Sequence, residues 1–242
     1  MKIKKYIYEL PEEEFYELVY SENLPAEVVN KKEGKVVFAL YQELKKLKPL
    51  EIQEVKNDWE KWKENFKPVE VDDFVILPPW KRAVYIKPGM AFGTGLHPTT
   101  RLCIKALKRY LKKGMSVLDV GTGSGILAIV SKLLGASQVL GIDISEDAIR
   151  ECKENAKLNK VRVNCLKAEP KDINETFDLV IANLEIKIFK DVLKDIKRKF
   201  RKVGIFSGLY KEEDLREFEK LSEMNFYEVL EEENWYCVVV KK

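Results

Sequence analysis

The chain has 242 residues, of which 45% are hydrophobic and 10% aromatic, enough to bury roughly 70 to 75% of the unfolded surface. This composition excludes an intrinsically disordered protein, and no run of about 18 or more apolar residues is present to span a bilayer. Lysine and arginine number 43 against 40 aspartates and glutamates, a balance of +3, so the broad basic surface of a nucleic-acid-binding protein is not expected.

The first residues, MKIKKYIYELPEEE, contain neither the apolar segment nor the cleavage site of a signal peptide. A cytoplasmic protein without membrane association and without a direct nucleic-acid partner is therefore predicted, and we expect it to be a monomer.

Residues 1–56 are predicted to form a small α+β domain. Their pattern alternates between short strands and helices, and the third of these elements leads into a Lys-rich helix. The predicted elements are a strand, a helix and two further strands: Ile3–Tyr8, Glu12–Tyr20, Gly34–Leu40 and Leu50–Val55.

Residues 57–68, NDWEKWKENFKP, are predicted to form a linker helix. Asn57 and Glu60 have the spacing of a capping box, and Pro68 would end the helix. Three aromatic residues follow the spacing of one helix face: Trp59, Trp62 and Phe66. We interpret this aromatic stripe as a surface that packs against a neighbouring domain.

Residues 69–242 are predicted to form a doubly wound α/β domain. From Thr99 onward, short apolar strands alternate with helices, which requires a mostly parallel sheet that is covered on both faces. The clearest strands are Ser116–Val120, Gln138–Ile142, Asp178–Ala182 and Gly204–Phe206, and the helices are Thr100–Leu111, Ile126–Leu134, Glu146–Leu158 and Ile188–Phe200. Asn225–Leu230 and Trp235–Val240 predict an antiparallel C-terminal hairpin, giving a seven-stranded sheet.

The glycine-rich string VLDVGTGSGILAI, residues 117–129, follows the pattern of a buried strand, a turn and a helix. Gly121, Gly123 and Gly125 allow a ligand to approach the backbone closely. Because Ile occupies position 126, the string lacks the GxGxxG pattern of a dinucleotide pyrophosphate site. Asp143, at the end of the next strand, could accept both hydroxyls of a ribose. The combination favours a nucleoside ligand over an ordinary tight turn.

This arrangement resembles the class I S-adenosylmethionine-dependent methyltransferases, and the resemblance covers nearly all of residues 90–242. It implies that Gly121, Gly123 and Gly125 pass under the methionine and ribose of S-adenosylmethionine and that Asp143 holds the ribose.

Two further carboxylates take roles by the same resemblance. Asp119 would approach the amino group at the methionine end of the cofactor. Glu169 would lie beside the adenine, although an exposed turn carboxylate is an equally good interpretation of that residue.

Asn183 ends the fourth strand in FDLVIANLEI, where amino-group methyltransferases resemble one another in carrying Asn or Asp. Its amide oxygen could accept a hydrogen bond from a target amine and aim the nitrogen lone pair at the methyl carbon. Leu184, Glu185 and Ile186 replace the Pro-Pro-aromatic continuation of the nucleic-acid and release-factor enzymes. A helix cap is the alternative role for Asn183.

The string FGTGLHPTT, residues 92–100, predicts a flexible loop followed by a helix that begins at Pro98. The N–H groups at that helix start, together with the hydroxyls of Thr99 and Thr100, are suited to bind a carboxylate. A simple helix cap is the alternative. For His97, the one histidine of the chain, ordering the loop or bonding the cofactor is favoured over general-base catalysis.

FGTGLHPTTRLCIKAL, the glycine-rich string and the linker with its PPW sequel are together similar to the ribosomal protein L11 methyltransferase family, from about Asp58 to the hairpin. This resemblance implies that Thr100, Gly121, Asp143 and Asn183 contact the cofactor and that Asn183 also faces the target amine. It further implies that the N-terminal domain recognises a ribosomal protein and that methyl groups pass to its lysine or N-terminal amines.

Two other functions remain as alternatives on the same fold: an RNA or small-molecule N-methyltransferase, and a non-catalytic cofactor-binding module. The near-neutral charge and the missing Pro-Pro-aromatic string count against the first, and the presence of Asp143 and Asn183 counts against the second.

The four cysteines, Cys103, Cys152, Cys165 and Cys237, form no CxxC pair. We therefore predict free thiols and no metal site.

Overall fold

The computed structural model describes residues 2–22, 24–56, 68–87, 89, 95 and 97–242. The chain divides into two compact units, Met1–Arg82 and Ala83–Lys242. The division differs from the predicted start of the α/β domain at residue 69, because a short hairpin after Pro68 belongs to the first unit. The predicted linker helix lies outside the described residues, except for Pro68.

The first unit contains a four-stranded antiparallel sheet in the order β2-β3-β1-β4, one helix and a separate two-stranded hairpin. The α+β class predicted for this part of the chain is confirmed. Its core surrounds Tyr8, Phe15 and Phe38. The elements are β1 (Lys2–Pro11), α1 (Glu12–Glu22), β2 (Glu27–Lys32), β3 (Lys35–Leu40), β4 (Glu51–Lys56), β5 (Val69–Val71) and β6 (Phe74–Ile76).

The Lys-rich helix predicted after Leu40 is wrong, because residues 41–50 form turns instead. The Leu44 N–H donates to the Tyr8 hydroxyl at 2.8 Å, and Leu44 and Leu47 pack on the core. These two leucines are therefore partly buried without a helix, in a stretch too short to form one by itself. Strand β2 was not predicted, because all six of its residues are exposed and the hydrophobic alternation is absent.

The second unit is a doubly wound α/β structure around a seven-stranded sheet, in the order β12-β13-β11-β10-β7-β8-β9. Strand β13 pairs antiparallel with both of its neighbours, and the other described pairs are parallel. The predicted fold class and the predicted hairpin are confirmed. The elements are α2 (Pro98–Tyr110), β7 (Ser116–Val120), α3 (Ile126–Leu133), β8 (Gln138–Asp143), α4 (Glu146–Leu158), β9 (Asn164–Lys167), β10 (Phe177–Asn183), α5 (Ile186–Lys197), β11 (Phe200–Tyr210), α6 (Lys211–Ser222), β12 (Phe226–Glu232) and β13 (Trp235–Lys241).

Helices cover both faces of this sheet. Helices α2 and α3 pack on one face, and α5 and α6 pack on the other. The central strands are consequently buried on both sides, which explains their continuous apolar sequences. Among the described helices, none has the length and apolar character needed to cross a membrane.

Two elements at the end of the sheet differ from the prediction. Helix α5 ends at Lys197, three residues before the predicted end, because the buried Phe200 already belongs to β11. Helix α6 was not predicted, since only Phe218 and Ser222 of its twelve residues are buried. A helix with so narrow an apolar stripe has little hydrophobic periodicity.

The expectation of four free thiols is wrong. Cys152 on α4 and Cys165 on β9 form a disulfide, whereas Cys103 and Cys237 are free and buried. Helix α4 packs against β9, which brings the two Cα atoms to 6.3 Å. The spacing of the two cysteines in the sequence does not indicate that their Cα atoms lie this close.

Candidate active site

The strand order reverses between β7 and β10, and a crevice opens at the carboxyl ends of such strands. A cavity of about 880 Å³ lies at this edge, within the range of roughly 300 to 1,000 Å³ that is typical of small-molecule sites. Four of the predicted site residues line it: Gly121, Gly123, Asp143 and Asn183. The structure therefore brings the motifs after three different strands into one space.

The glycine loop, residues 121–125, joins β7 to α3, and its three glycines have positive φ angles. A β-carbon added to Gly121, where φ is +69°, would overlap Cδ2 of Leu184. One added to Gly125 would lie 3.0 Å from Sγ of Cys152. Close packing within the protein therefore requires glycine at these two positions, in addition to any approach by a ligand.

Asp143 ends β8 and is tied to the glycine loop. Its Oδ2 accepts a hydrogen bond from the Gly123 N–H at 3.1 Å, and its Oδ1 accepts one from the Ser145 N–H at 3.0 Å. Because a carboxylate can accept about four hydrogen bonds, two positions remain for the hydroxyls of a ribose. The orientation of this carboxylate is thus set by the backbone before any ligand binds.

Asp119 lies beneath the glycine loop and outside the described lining of the cavity. Its Oδ2 accepts hydrogen bonds from the Thr122 hydroxyl at 2.7 Å and from the Ala128 N–H at 3.1 Å. Burial raises the pKa of Asp119 to about 7. The structure thus gives Oδ2 a part in holding the loop and the start of α3, while Oδ1 has no hydrogen-bond partner among the described residues. The approach of Asp119 to the methionine end of the cofactor stays a prediction.

His97 caps helix α2 and lies on the cavity. Its Nδ1 accepts from the Thr99 N–H at 3.4 Å and lies 2.8 Å from the Thr99 hydroxyl, and its ring meets Trp235 edge-on at 4.6 Å. Partial burial, followed by the nearby Arg101 charge, lowers the pKa of His97. These contacts make His97 the N-cap of helix α2, and its favoured role in ordering the loop or bonding the cofactor stays a prediction.

Thr100 is placed differently from its neighbour. Thr99 lines the cavity, whereas Thr100 is buried within helix α2, and its Oγ1 has no hydrogen-bond partner in the part of the chain that the structure describes. A buried hydroxyl without a partner is costly and calls for a ligand or water. The contact of Thr100 with the cofactor stays a prediction.

Asn183 is the last residue of β10 and pairs in register with Ser207 of β11. Helix α5 is capped at Glu185, so the alternative role of Asn183 as the helix cap is wrong. The Leu184 N–H donates to the Ser207 carbonyl at 3.0 Å, which fixes the backbone directly after Asn183. The amide is therefore held at the cavity by a strand end.

Glu169 lines the cavity at the start of the short helical turn Pro170–Asp172. Its N–H donates to the Asp172 carboxylate at 2.9 Å, and its own carboxylate pairs with Lys171. Glu169 is therefore a turn residue that also lies next to the cavity, and its place beside the adenine stays a prediction.

Sequence reasoning missed much of the cavity wall. Gly208 has a φ of +93°, and a β-carbon there would overlap the carbonyl of Leu184. Its position two residues after the predicted strand Gly204–Phe206 was a usable signal. The titratable residues in the described lining are His97 and five carboxylates, which favours a cationic ligand. These carboxylates are Asp143, Asp147, Glu169, Glu185 and Asp191.

Comparisons with known proteins agree with this geometry. The family model of ribosomal protein L11 methyltransferase (PrmA) matches residues 7–242. The ribosomal protein L11 methyltransferase of Aquifex aeolicus is 68% identical over 243 residues, which is 100% of this chain and 99% of the relative. That of Dictyoglomus thermophilum is 39% identical and covers 89% of this chain and 76% of the relative.

A solved structure is also similar. The crystal structure of ribosomal protein L11 methylase from Lactobacillus delbrueckii subsp. bulgaricus matches with a TM-score of 0.63 and 31% identity. The match covers 68% of this chain and 89% of that chain.

Proposed function

Because this chain belongs to the ribosomal protein L11 methyltransferase family, we propose that it transfers methyl groups to amino groups of ribosomal protein L11. It is an S-adenosylmethionine-dependent methyltransferase, and the proposed targets are lysine side chains, the N-terminal amine, or both. The observation that supports this most directly is the single cavity that Gly121, Asp143 and Asn183 share at the carboxyl edge of the sheet.

The cavity fits S-adenosylmethionine in shape and in charge. Gly121 and Gly123 present backbone without side chains on one wall, and Asp143 has acceptor positions for the ribose hydroxyls. The carboxylates around the cavity complement a cation. When bound, the cofactor supplies a methyl group on a positively charged sulfur.

Asn183 is proposed to orient the amine. Its amide oxygen would accept an N–H bond from the target, and holding the nitrogen behind the methyl carbon contributes roughly 7 to 11 kcal/mol. Neutralising a lysine of pKa about 10.4 at pH 7 costs about 4.6 kcal/mol, and an N-terminal amine about 1 kcal/mol. Desolvation next to a positive charge lowers the pKa of either amine, so a dedicated base is not required.

The first unit is proposed to recognise the ribosomal protein. All the residues that line the described cavity belong to the second unit. A fragment of residues 83–242 should therefore keep its affinity for S-adenosylhomocysteine and lose most of its activity on L11. Full activity of this fragment would exclude a role of the first unit in substrate recognition.

The direct test is transfer of a labelled methyl group from S-adenosylmethionine to purified L11 and to whole ribosomes. We expect label in the protein fraction, with Asn183→Ala as the inactive control. Label in the RNA fraction alone would instead support an RNA methyltransferase. We further propose that the protein acts as a monomer in the cytoplasm, and size-exclusion chromatography with light scattering tests the oligomeric state.

A further inference from the structure

Helix α4 contacts two stretches of backbone through one buried side chain. Asn155 is fully buried, and its Nδ2 donates to the Ser124 carbonyl of the glycine loop at 2.8 Å. Its Oδ1 accepts from the Lys87 N–H at 2.9 Å. A single amide therefore connects the glycine loop to the segment at the start of the second unit.

Tyr85 and Gly89 contact the same helix as Lys87 does. One turn after Asn155, Asn159 accepts from the Tyr85 N–H at 2.8 Å and donates to the Tyr85 carbonyl at 2.6 Å. One turn before it, Gly89 lies against the carboxylate of Glu151, which a β-carbon would overlap.

The spacing of these contacts has a simple geometric cause. Two extended residues advance about 6.6 Å, and four helical residues advance about 6 Å. Tyr85 and Lys87 are two positions apart and contact successive turns of α4, through Asn159 and Asn155. The register places the Lys87 N–H against Asn155.

Helix α4 is itself firmly attached. The disulfide from Cys152 joins it to Cys165 on β9, and Cys152 lies directly beneath Gly125 of the glycine loop. Cys152 and Asn155 are three residues apart, so they share a face of the helix. That face carries both the packing contact and the hydrogen bond to the loop.

We propose that Asn155 is a positioning residue for the cofactor, which holds Ser124 and hence the glycine loop in the conformation that binds S-adenosylmethionine. The inference rests on the proposed function and adds a residue outside the described cavity lining. Only a side chain that has both a donor and an acceptor satisfies the Ser124 carbonyl and the Lys87 N–H together. Removing it leaves two backbone groups without their partner.

The test compares substitutions at Asn155 in the full chain, with S-adenosylhomocysteine as the calorimetric probe. Asn155→Ala should weaken binding about tenfold or more. Asn155→Asp keeps an acceptor for Lys87 and loses the donor to Ser124, so it should weaken binding to a similar degree. In turnover assays, the KM for S-adenosylmethionine should rise about tenfold, while the KM for L11 stays within about twofold of the wild-type value.

Two variants on the same helix serve as controls. Asn159→Ala removes the pairing with Tyr85 but leaves the bond to Ser124, and Lys153→Ala changes an exposed residue; both should bind within about twofold of the wild type. A purely structural role for Asn155 would lower the melting temperature and leave the affinity of the folded variant unchanged, which would overturn the inference.

The outcome for the wild type separates this inference from the proposed function. A wild type that binds the probe but does not methylate L11 would contradict the proposed function alone. Equal binding by the wild type and both Asn155 variants would contradict the inference alone. A wild type that does not bind the probe would overturn both.

Discussion

The hydroxyl of Thr122 donates a hydrogen bond to Oδ2 of Asp119 at 2.7 Å, in a site where Asp119 is 1% exposed. Gly141 faces the same threonine, since a β-carbon there would lie 2.7 Å from Thr122 Oγ1. The glycine loop therefore folds over a carboxyl group that water does not reach. Protonation of this group is consequently linked to the stability of the fold.

The free energy of unfolding should decrease between about pH 4 and pH 7 because of Asp119. Burial raises its pKa to about 7, so in this range the folded chain keeps a proton that the unfolded chain releases. An amide does not titrate, so the Asp119→Asn substitution removes this pH dependence. Between pH 4 and pH 7, the free energy of unfolding of the variant should rise relative to that of the wild type by up to about 4 kcal/mol. Urea unfolding of both chains without ligand, at several pH values, measures the difference; parallel curves would contradict it.

Substitution of Asp143 should weaken cofactor binding. Asp143→Ala removes the carboxylate proposed to accept the ribose hydroxyls, and the expected loss is about 1.5 to 3 kcal/mol of binding free energy. It also removes the acceptor for the Gly123 and Ser145 N–H groups. Calorimetry with S-adenosylhomocysteine is the measurement, and Asp147→Ala, which changes another carboxylate of the cavity, is the control. Unchanged affinity would remove the ribose assignment.

Loss of the Asn183 amide should reduce the rate more than the stability. Asn183→Ala is expected to lower turnover a hundredfold or more, about 2.7 kcal/mol. Because Glu185, and not Asn183, occupies the N-cap position of α5, the melting temperature should change little, and Lys187→Ala, at an exposed position of α5, is the control. A variant that melts earlier but methylates at the normal rate would show that Asn183 has a structural role only.

A side chain at Gly121 should harm both stability and binding, for separable reasons. Gly121→Ala imposes a left-handed backbone that costs roughly 1 to 2 kcal/mol and overlaps Leu184. Adding Leu184→Ala removes the overlap, so part of the melting temperature should return. If the cofactor also approaches Gly121, its affinity should stay low in the double variant, and full recovery of affinity would contradict that approach.

Reduction of the disulfide should destabilise the second unit. Cys152 and Cys165 are 13 residues apart, and closing a loop of that size contributes about 3 kcal/mol. Cys165→Ser should lower the free energy of unfolding by a similar amount. A reductant should then have no further effect on the variant, while it lowers the stability of the wild type; equal stability of all forms would exclude the contribution.

The sequence by itself determined the fold class and part of the cavity wall. The runs at Ser116–Val120 and Asp178–Ala182 are mainly apolar because strands in the middle of a covered sheet are buried on both faces. Gly121, Asp143 and Asn183 follow such strands, and the carboxyl ends of parallel strands meet at one edge. Local pattern and topology were therefore enough to bring these residues together.

Only the tertiary structure decided the contacts between elements that are distant in the chain. Cys152 was joined to Cys165, and Asn155 was connected to Lys87, although 68 positions separate the last pair. No local pattern encodes such contacts, because they depend on how a helix packs on its neighbours. The hydrophobic periodicity of the sequence indicates which face of a helix or strand is buried, whereas tertiary packing decides which residues that face contacts.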